Sequence, residues 1–296
     1  MNGQSTLYWS HLKTYETCPQ QLLWSKGWDS IDCGHGLGNP KPRPAETSRH
    51  HALMGIAIQY AVERMYNDEL YREPYKLSQV LLELVEREWE RLEAQPRNPI
   101  DYVEAKMSRA DMLQICRDGV VGYLQTMKEH KFLGPYSRAE VNLLGWVDKW
   151  NPVGGRADMI IRRDDTGITI LDGKNTKHKM KYTDPDQLRW YALLFRLAYR
   201  VMPDRLGYVW YRFPYGESES GVEWVEFNED DIKALAHRAL EAKRLMRKEK
   251  FEANPVASHC KFCPYESSCE ERQATKKRRA KPLPVDVSKG FADLSL

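Results

Sequence analysis

Long apolar runs are absent from this sequence of 296 residues. No stretch approaches the roughly 18 consecutive apolar residues that a membrane-spanning helix needs. The N-terminal segment MNGQSTLYWSHLK has neither a basic start nor an apolar stretch, so it does not resemble a secretory signal. The sequence therefore predicts an intracellular, cytoplasmic protein with no membrane segment.

An excess of charge of one sign is also missing. The 45 basic and 42 acidic residues leave a net charge of +3, so the overall charge does not indicate a nucleic-acid partner. Basic residues nevertheless cluster in two places, at Lys174–Lys181 (KNTKHKMK) and Lys276–Lys281 (KKRRAK). Such runs are solvated surface or phosphate-binding sites, and the sequence alone leaves both open.

The order of periodic patterns predicts an α+β fold with a mixed sheet. The helices are predicted at about residues 12–24, 50–66, 77–93, 103–129, 185–199 and 229–250. The strands are predicted at about residues 139–147, 155–162, 168–172, 206–213 and 222–227. A turn at Asp164–Gly167 joins the second and third strands, which suggests an antiparallel pair.

With 42% hydrophobic and 29% charged residues, the composition is that of a globular protein. We expect a single domain over residues 1–275, with a helical part at about 50–130 and a catalytic core at about 137–250. A Gly- and Pro-rich stretch from Cys33 to Glu46 predicts a loop. Residues 276–296 are predicted to form a basic, loosely ordered tail.

Two neighbouring predicted strands carry carboxylates that can meet. Asp158 lies in GGRADMII, and Asp172 and Lys174 lie in ILDGKNT. Because side chains alternate along a strand, Asp172 and Lys174 project from the same face. Two carboxylates form a hard oxygen site suited to Mg²⁺ or Mn²⁺, and a lysine beside it can orient a water or stabilise phosphate charge. The alternative is an ordinary ion pair at the strand ends.

A third element follows on the next predicted helix. Gln187 and Tyr191 are four residues apart, so both lie on one helix face. Taken alone, they are equally explained as a solvated amide and a half-buried ring.

The order GxxD, D-x-K and QxxxY resembles the nuclease core of RecB-type proteins in the PD-(D/E)XK superfamily, and the resemblance extends from Cys18 to Cys269. It implies a restriction-endonuclease-like core, with a central mixed sheet flanked by helices and a helical N-terminal region. It also implies a metal-dependent nuclease that acts on DNA.

The resemblance assigns roles to five residues. It implies that Asp158 and Asp172 bind the metal and that Lys174 assists the attacking water. Gln187 and Tyr191 are then expected to help place the DNA strand.

An upstream helix departs from the family pattern. The family often has G-x-x-x-H-x-x-x-E there, with the histidine as a metal ligand, whereas this sequence has Gly55, Gln59 and Glu63 at the three marked positions. An amide oxygen is a weak Mg²⁺ ligand, so we expect metal ligation from Gln59 and Glu63 together. His50 and His51 are nearby alternatives.

The cysteines are placed at both ends of the predicted core. Cys260, Cys263 and Cys269 follow the pattern C-x2-C-x5-C, and Cys18 lies far upstream. Four thiols suit an iron–sulfur cluster, whereas structural zinc held by four cysteines, or by three with His259, is the alternative. The same placement is found in iron–sulfur RecB-like nucleases, including AddB-type proteins and a CRISPR-associated nuclease. That resemblance implies a 4Fe–4S cluster that joins the two ends of the chain.

These features predict a Mg²⁺- or Mn²⁺-dependent deoxyribonuclease, an exonuclease or single-strand nuclease of recombination, repair or replication. The expected partners are single-stranded DNA or duplex ends, with a helicase or recombinase as a protein partner. Lys177, Lys179 and Lys181 are expected to contact phosphates. One alternative is a catalytically inactive DNA-binding or scaffold protein, and a second is a zinc-stapled interaction module.

Overall fold

A computed structural model describes residues 6–26, 50–95, 100–176, 178–179, 183–216 and 219–280. The predicted loop at 33–46 lies outside these residues, as do Lys177, Lys181 and residues 281–296 of the predicted tail. Within the described part, none of the helices combines the length and the apolar character needed to cross a membrane.

A mixed β-sheet forms the centre of the molecule. Its strands are β1 (Leu7–Tyr8), β2 (Ser137–Trp146), β3 (Pro152–Arg163), β4 (Gly167–Lys174), β5 (Arg205–Trp210) and β6 (Val222–Val225). Strands β2, β3 and β4 form the predicted antiparallel meander, whereas β5 adds to β4 in parallel and β6 pairs antiparallel to β5. The short β1, which the sequence patterns missed, lies parallel to β3. The sheet therefore confirms the α+β class predicted from the order of the elements.

Helices cover both faces of this sheet. They are α1 (Trp9–Thr17), α2 (Pro19–Lys26), α3 (His50–Asn67), α4 (Pro74–Glu93), α5 (Tyr102–Ala105), α6 (Arg109–Glu129), α7 (Pro185–Tyr199), α8 (Glu229–Arg247), α9 (Ala257–Cys260) and α10 (Glu270–Ala280). One core is built from α3, α4 and α6 on one face, around Trp89 and Met54. The second is built from α1, α7 and α8 on the other face, around Trp190.

The N-terminal helix predicted at 12–24 is interrupted. Cys18 has an extended backbone between α1 and α2, because the residue before a proline avoids the helical conformation and Pro19 follows. The Cys18 thiol therefore lies at a bend between two helices rather than along one helix.

Several other boundaries also differ from the prediction. Helix α6 begins at Arg109, not near Val103, because Ser108 and Asp111 form a capping box there. At the C-terminus, α10 continues through Lys276 to Ala280, where a loosely ordered tail was predicted from about residue 276.

Candidate active site

A local irregularity brings two carboxylates together in the centre of the sheet. Glu140 in β2 has a left-handed backbone, with φ of +52°, a conformation that is uncommon for residues other than glycine. Its neighbours Ala139 and Val141 consequently pack into opposite cores, although residues two apart on a regular strand face the same side. Glu140 and Asp158 lie between the register pairs Ala139–Met159 and Val141–Ala157 of β2 and β3. The side chains of β2 therefore switch from one face of the sheet to the other at Glu140, next to Asp158.

Asp158 and Asp172 meet where β3 and β4 separate. The pairing of these two strands begins at Met159 and Leu171, and the Asp158 carboxylate accepts a 2.9 Å hydrogen bond from the Gly173 backbone N–H. On β4, Lys174 Nζ lies 2.5 Å from Asp172 Oδ2. The structure thus brings together the two aspartates and the lysine that the sequence singled out.

Gln187 on α7 ties this group together. Its side-chain amide donates to Asp172 Oδ1 at 3.0 Å and to Tyr191 Oη at 3.1 Å, and its carbonyl oxygen accepts from Lys174 Nζ at 3.2 Å. Because Gln187 and Tyr191 are one helical turn apart, α7 presents both to the strand ends. The predicted shared face of the QxxxY pair is therefore present, and it points at the aspartates.

Asp172 is only 1% exposed. Its Oδ2 is buried and lies in charge contact with the Lys174 ammonium. Burial raises the pKa of Asp172, an effect that the Lys174 charge opposes. Burial, together with the charge of Asp172, raises the pKa of Asp158 well above its usual range. Ionising both of these buried carboxylates costs free energy, and a bound cation would reduce that cost.

Glu140 is an acidic residue of this site that the sequence motifs did not identify. Its side chain is 7% exposed and forms an ion pair with Arg156, and its Oε1 accepts a 2.5 Å hydrogen bond from Gln59 Nε2. Burial raises the pKa of Glu140, although Gln59 and Arg156 both favour its ionised form. The available signal was a lone glutamate inside the apolar strand that precedes GxxD.

Tyr211 is the second residue that the motifs missed. Its hydroxyl donates a 2.7 Å hydrogen bond to Gln59 Oε1. Burial raises the pKa of this hydroxyl well above its usual range, and the charges of Asp158 and Asp172 raise it further. Nothing in the sequence singles out Tyr211, because it immediately follows β5 and looks like one aromatic among several.

The expected ligands on α3, Gln59 and Glu63, both make hydrogen bonds within the protein. Both polar ends of Gln59 are already used, one by Tyr211 and the other by Glu140. Glu63 accepts a 3.3 Å hydrogen bond from Asn67 on its own helix, and its charge acts on Glu140. The rings of His50 and His51, at the start of α3, lie 4.0 Å from each other.

The carboxylates of Asp158 and Asp172 are the candidate metal ligands of this site. Within the described residues, no three His, Cys, Asp or Glu side chains form a preassembled metal cage. The donor chemistry nevertheless fits a hard divalent cation, because Asp172 has a buried carboxylate oxygen and lies close to the carboxylate of Asp158. The Lys174 ammonium provides positive charge beside Asp172.

The four cysteines line one cavity. Cys18, at the break between α1 and α2, faces the same space as Cys260, Cys263 and Cys269. All four are free thiols. Burial raises the pKa of Cys260, Cys263 and Cys269, and the neighbouring Cys18 raises each further. The structure thus brings the distant Cys18 to the C-terminal cysteines, without a closed metal cage among the described residues.

Two polar side chains at this cavity have other partners. His259, the alternative zinc ligand, makes a 2.7 Å hydrogen bond with the backbone oxygen of Asn254. Arg272 is nearly buried and donates to Glu266 at 2.9 Å. The imidazole is therefore engaged by the backbone, and the arginine by a carboxylate.

Of the three predicted phosphate-binding lysines, the structure describes Lys179. Its ammonium lies 2.5 Å from a Glu219 carboxylate oxygen and 4.7 Å from the centre of the Phe213 ring. Lys179 is thus held beside an aromatic ring next to the active-site strand.

A comparison with known protein families agrees with this arrangement. The profile of the PD-(D/E)XK nuclease superfamily matches residues 8–270, which contain the sheet, the carboxylates and the cysteines. The crystal structure of SSO0001, one of 18 similar solved chains, shares 16% identity and a TM-score of 0.35, over 74% of this chain and 84% of that chain. No curated protein matches. Because the matched segment includes nearly the whole folded chain, the protein belongs to the PD-(D/E)XK nuclease superfamily.

Proposed function

We propose that this protein is a Mg²⁺- or Mn²⁺-dependent deoxyribonuclease that hydrolyses phosphodiester bonds. The observation that carries the proposal is the convergence of Asp158, Asp172 and Lys174 where β3 and β4 separate, with Gln187 bonded to both the lysine and the buried aspartate. Membership of a superfamily of nucleases supports the reaction class.

In this proposal Asp158 and Asp172 hold the cation, and Glu140 lies close enough to contribute to the field around it. A bound divalent cation supplies Lewis-acid polarisation of the phosphate and lowers the pKa of a water. The buried carboxylates provide the negative charge that attracts the cation. Their raised pKa values mean that cation binding competes with protonation, so binding should weaken as the pH falls.

Lys174 is proposed to orient the attacking water and to stabilise charge that develops on the phosphate. The Lys174 ammonium donates a 3.2 Å hydrogen bond to the Gln187 carbonyl oxygen. Gln187 thereby fixes the direction of the lysine, and Tyr191 holds the Gln187 amide from the other side. These residues preset the position of the ammonium before substrate arrives.

The substrate is proposed to be DNA, cut as an exonuclease or single-strand nuclease in recombination, repair or replication, alongside a helicase or recombinase. Lys177, Lys179 and Lys181 are proposed to bind its backbone. The aromatic ring beside Lys179 supports this placement, because a cation next to an aromatic ring suits both phosphate and base contacts.

We further propose that Cys18, Cys260, Cys263 and Cys269 hold a 4Fe–4S cluster. Their shared cavity supports this assignment. Four thiolates suit such a cluster, whose iron would link α2 to the C-terminal segment. Iron quantified in anaerobically purified protein would support this assignment, whereas stoichiometric zinc would overturn it.

The direct experiment is a cleavage assay with wild-type protein on 5′- and 3′-labelled single-stranded, duplex and covalently closed circular DNA. We expect cleavage with Mg²⁺ or Mn²⁺ and none in EDTA. Resistance of closed circles would identify an exonuclease. DNA binding without cleavage in any metal would instead favour an inactive scaffold.

A further inference from the structure

Gln59 stands where related nucleases often have a metal-ligating histidine, and its hydrogen bonds fix how its amide points. A carboxylate such as that of Glu140 accepts hydrogen bonds and cannot donate them when ionised. The Gln59 N–H must therefore face Glu140, at 2.5 Å. This leaves the Gln59 oxygen toward Tyr211, whose hydroxyl donates to it at 2.7 Å. The oxygen that could ligate a metal is thus already satisfied.

Tyr211 is itself held firmly. Its backbone N–H donates to the Lys174 carbonyl at 3.1 Å, and its ring packs edge-on against Tyr123 at 5.6 Å. A side chain at Gly173 would collide with the Tyr211 hydroxyl. The middle residue of the D-x-K motif is therefore a glycine that makes room for this hydroxyl beside the two aspartates.

We propose that Tyr211 and Gln59 are positioning residues that fix the Glu140 carboxylate beside Asp158, and that Gln59 does not ligate the metal. The inference rests on the proposed metal-dependent function and adds to it. Tyr211 orients the Gln59 amide, Gln59 holds one Glu140 oxygen, and Arg156 holds the other. The carboxylate is thereby fixed from both sides before a cation binds, which reduces the ordering that binding requires. Where related proteins often have a histidine ligand, this protein has a relay of two linked hydrogen bonds, from Tyr211 to Gln59 and from Gln59 to Glu140, that position the Glu140 carboxylate.

Two interpretations of Gln59 make opposite predictions for one measurement. The probe is Mn²⁺ alone, titrated into DNA-free holoprotein at neutral pH and followed by electron paramagnetic resonance. The variants are Tyr211→Phe, Gln59→Leu and the double variant. Tyr66→Phe is the matched control, because Tyr66 is equally buried and its hydroxyl contacts Tyr123 rather than Gln59.

If the relay positions Glu140, Tyr211→Phe and Gln59→Leu should each weaken Mn²⁺ binding by about threefold to tenfold, the effect expected from removing one hydrogen bond. The double variant should be no weaker than Gln59→Leu, because both changes break the same relay. Saturating metal should restore cleavage in Tyr211→Phe. If Gln59 is a ligand, Gln59→Leu alone should lose affinity, and unchanged binding in Tyr211→Phe overturns the proposal.

Additive losses of affinity in the double variant, or wild-type affinity in Gln59→Leu, also overturn it.

Asp172→Ala separates this inference from the proposed function. If Asp172→Ala abolishes Mn²⁺ binding while the relay variants bind normally, only the relay is wrong. If Asp172→Ala binds Mn²⁺ as tightly as wild type, the metal site itself is misassigned. Circular dichroism and melting temperatures close to those of Tyr66→Phe exclude unfolding as the cause.

Discussion

Asp158 is a carboxylate held where its charge is unfavourable. Burial and the charge of Asp172 raise its pKa well above the usual range, while the Gly173 N–H partly offsets this. Because the folded-state pKa exceeds the unfolded value of about 3.9, this group favours the folded state most at low pH, where it is protonated. That contribution is lost as the pH rises through the raised pKa.

We therefore expect Asp158→Asn to stabilise the metal-free protein at pH 8 while it abolishes cleavage. The gain should be about 1.4 kcal/mol for each unit by which the pKa of Asp158 is raised. It should disappear near pH 4, where the wild-type carboxylate is protonated. Urea denaturation in EDTA at pH 4, 6 and 8 measures this difference. A stability difference that does not change with pH would show that Asp158 is not strained by its charge.

At the scale of single residues, short motifs in the sequence singled out side chains that the structure brings together. The D-x-K spacing predicted that Asp172 and Lys174 share a strand face, and their 2.5 Å contact confirms it. Glu140 and Tyr211 could not be found in this way. Glu140 reaches the site through a left-handed backbone, and Tyr211 through a turn after β5. Neither conformation leaves a mark on local periodicity.

At the scale of elements, the meander β2–β3–β4 was predictable because its turn and its alternating residues are local features. The parallel addition of β5 and the short β1 depend on long-range pairing that periodicity does not encode. The change of facing at Glu140 depends on the same global packing, since each core is built from a different set of helices.

The backbone of β2 at Glu140 gives an element-scale prediction. A left-handed conformation is unfavourable for residues with a Cβ, and glycine adopts it freely. Glu140→Gly should therefore be more stable than Glu140→Ala by about 0.5–1 kcal/mol, the left-handed penalty less the entropy cost of glycine, although both remove the carboxylate and weaken metal binding. Thermal melting of the two metal-free variants compares them directly. Equal stability would mean that β2 relaxes to a regular strand once the glutamate is removed.

The segment after β4 provides a second prediction at this scale. Changing Lys177, Lys179 and Lys181 to glutamine should weaken DNA binding without sequence preference. The slope of log affinity against log salt should become shallower by about 0.7–0.9 for each phosphate that the variant no longer neutralises. Fluorescence anisotropy of labelled DNA, measured from low to physiological salt, gives the slope. An unchanged slope would show that these lysines belong to the solvated surface. The ion pair between Lys179 and Glu219 would then be an ordinary surface contact.

At the scale of the whole molecule, the four cysteines that line one cavity come from the two ends of the folded chain. Spacing alone predicted a metal site, but the meeting of Cys18 with Cys260 depends on α1 packing near α8. Tyr15, whose hydroxyl donates to the Lys250 carbonyl at 2.6 Å, is part of that packing. The iron–sulfur cluster proposed for these cysteines would restrict the unfolded chain over nearly its whole length.

Cys18→Ser should therefore remove iron and stability together, with a decrease of about 2–4 kcal/mol in the free energy of unfolding, the range typical of a covalent cross-link. Cys116→Ser is the control, since Cys116 is buried in the helical core away from this cavity. Iron content and melting temperature are measured on the same anaerobic preparation. Full iron content in Cys18→Ser would mean that another group supplies the fourth ligand.

We propose that Asp172 lies at the catalytic centre of a metal-dependent nuclease. Asp172→Ala is compared with Asp165→Ala, a control that removes an exposed aspartate from the β3–β4 turn. Cleavage of labelled DNA is followed in Mg²⁺ and in Mn²⁺. We predict that Asp172→Ala retains its fold and iron content but has no detectable cleavage in either metal, while Asp165→Ala cleaves as wild type does. Cleavage by Asp172→Ala at the wild-type rate would contradict the claim.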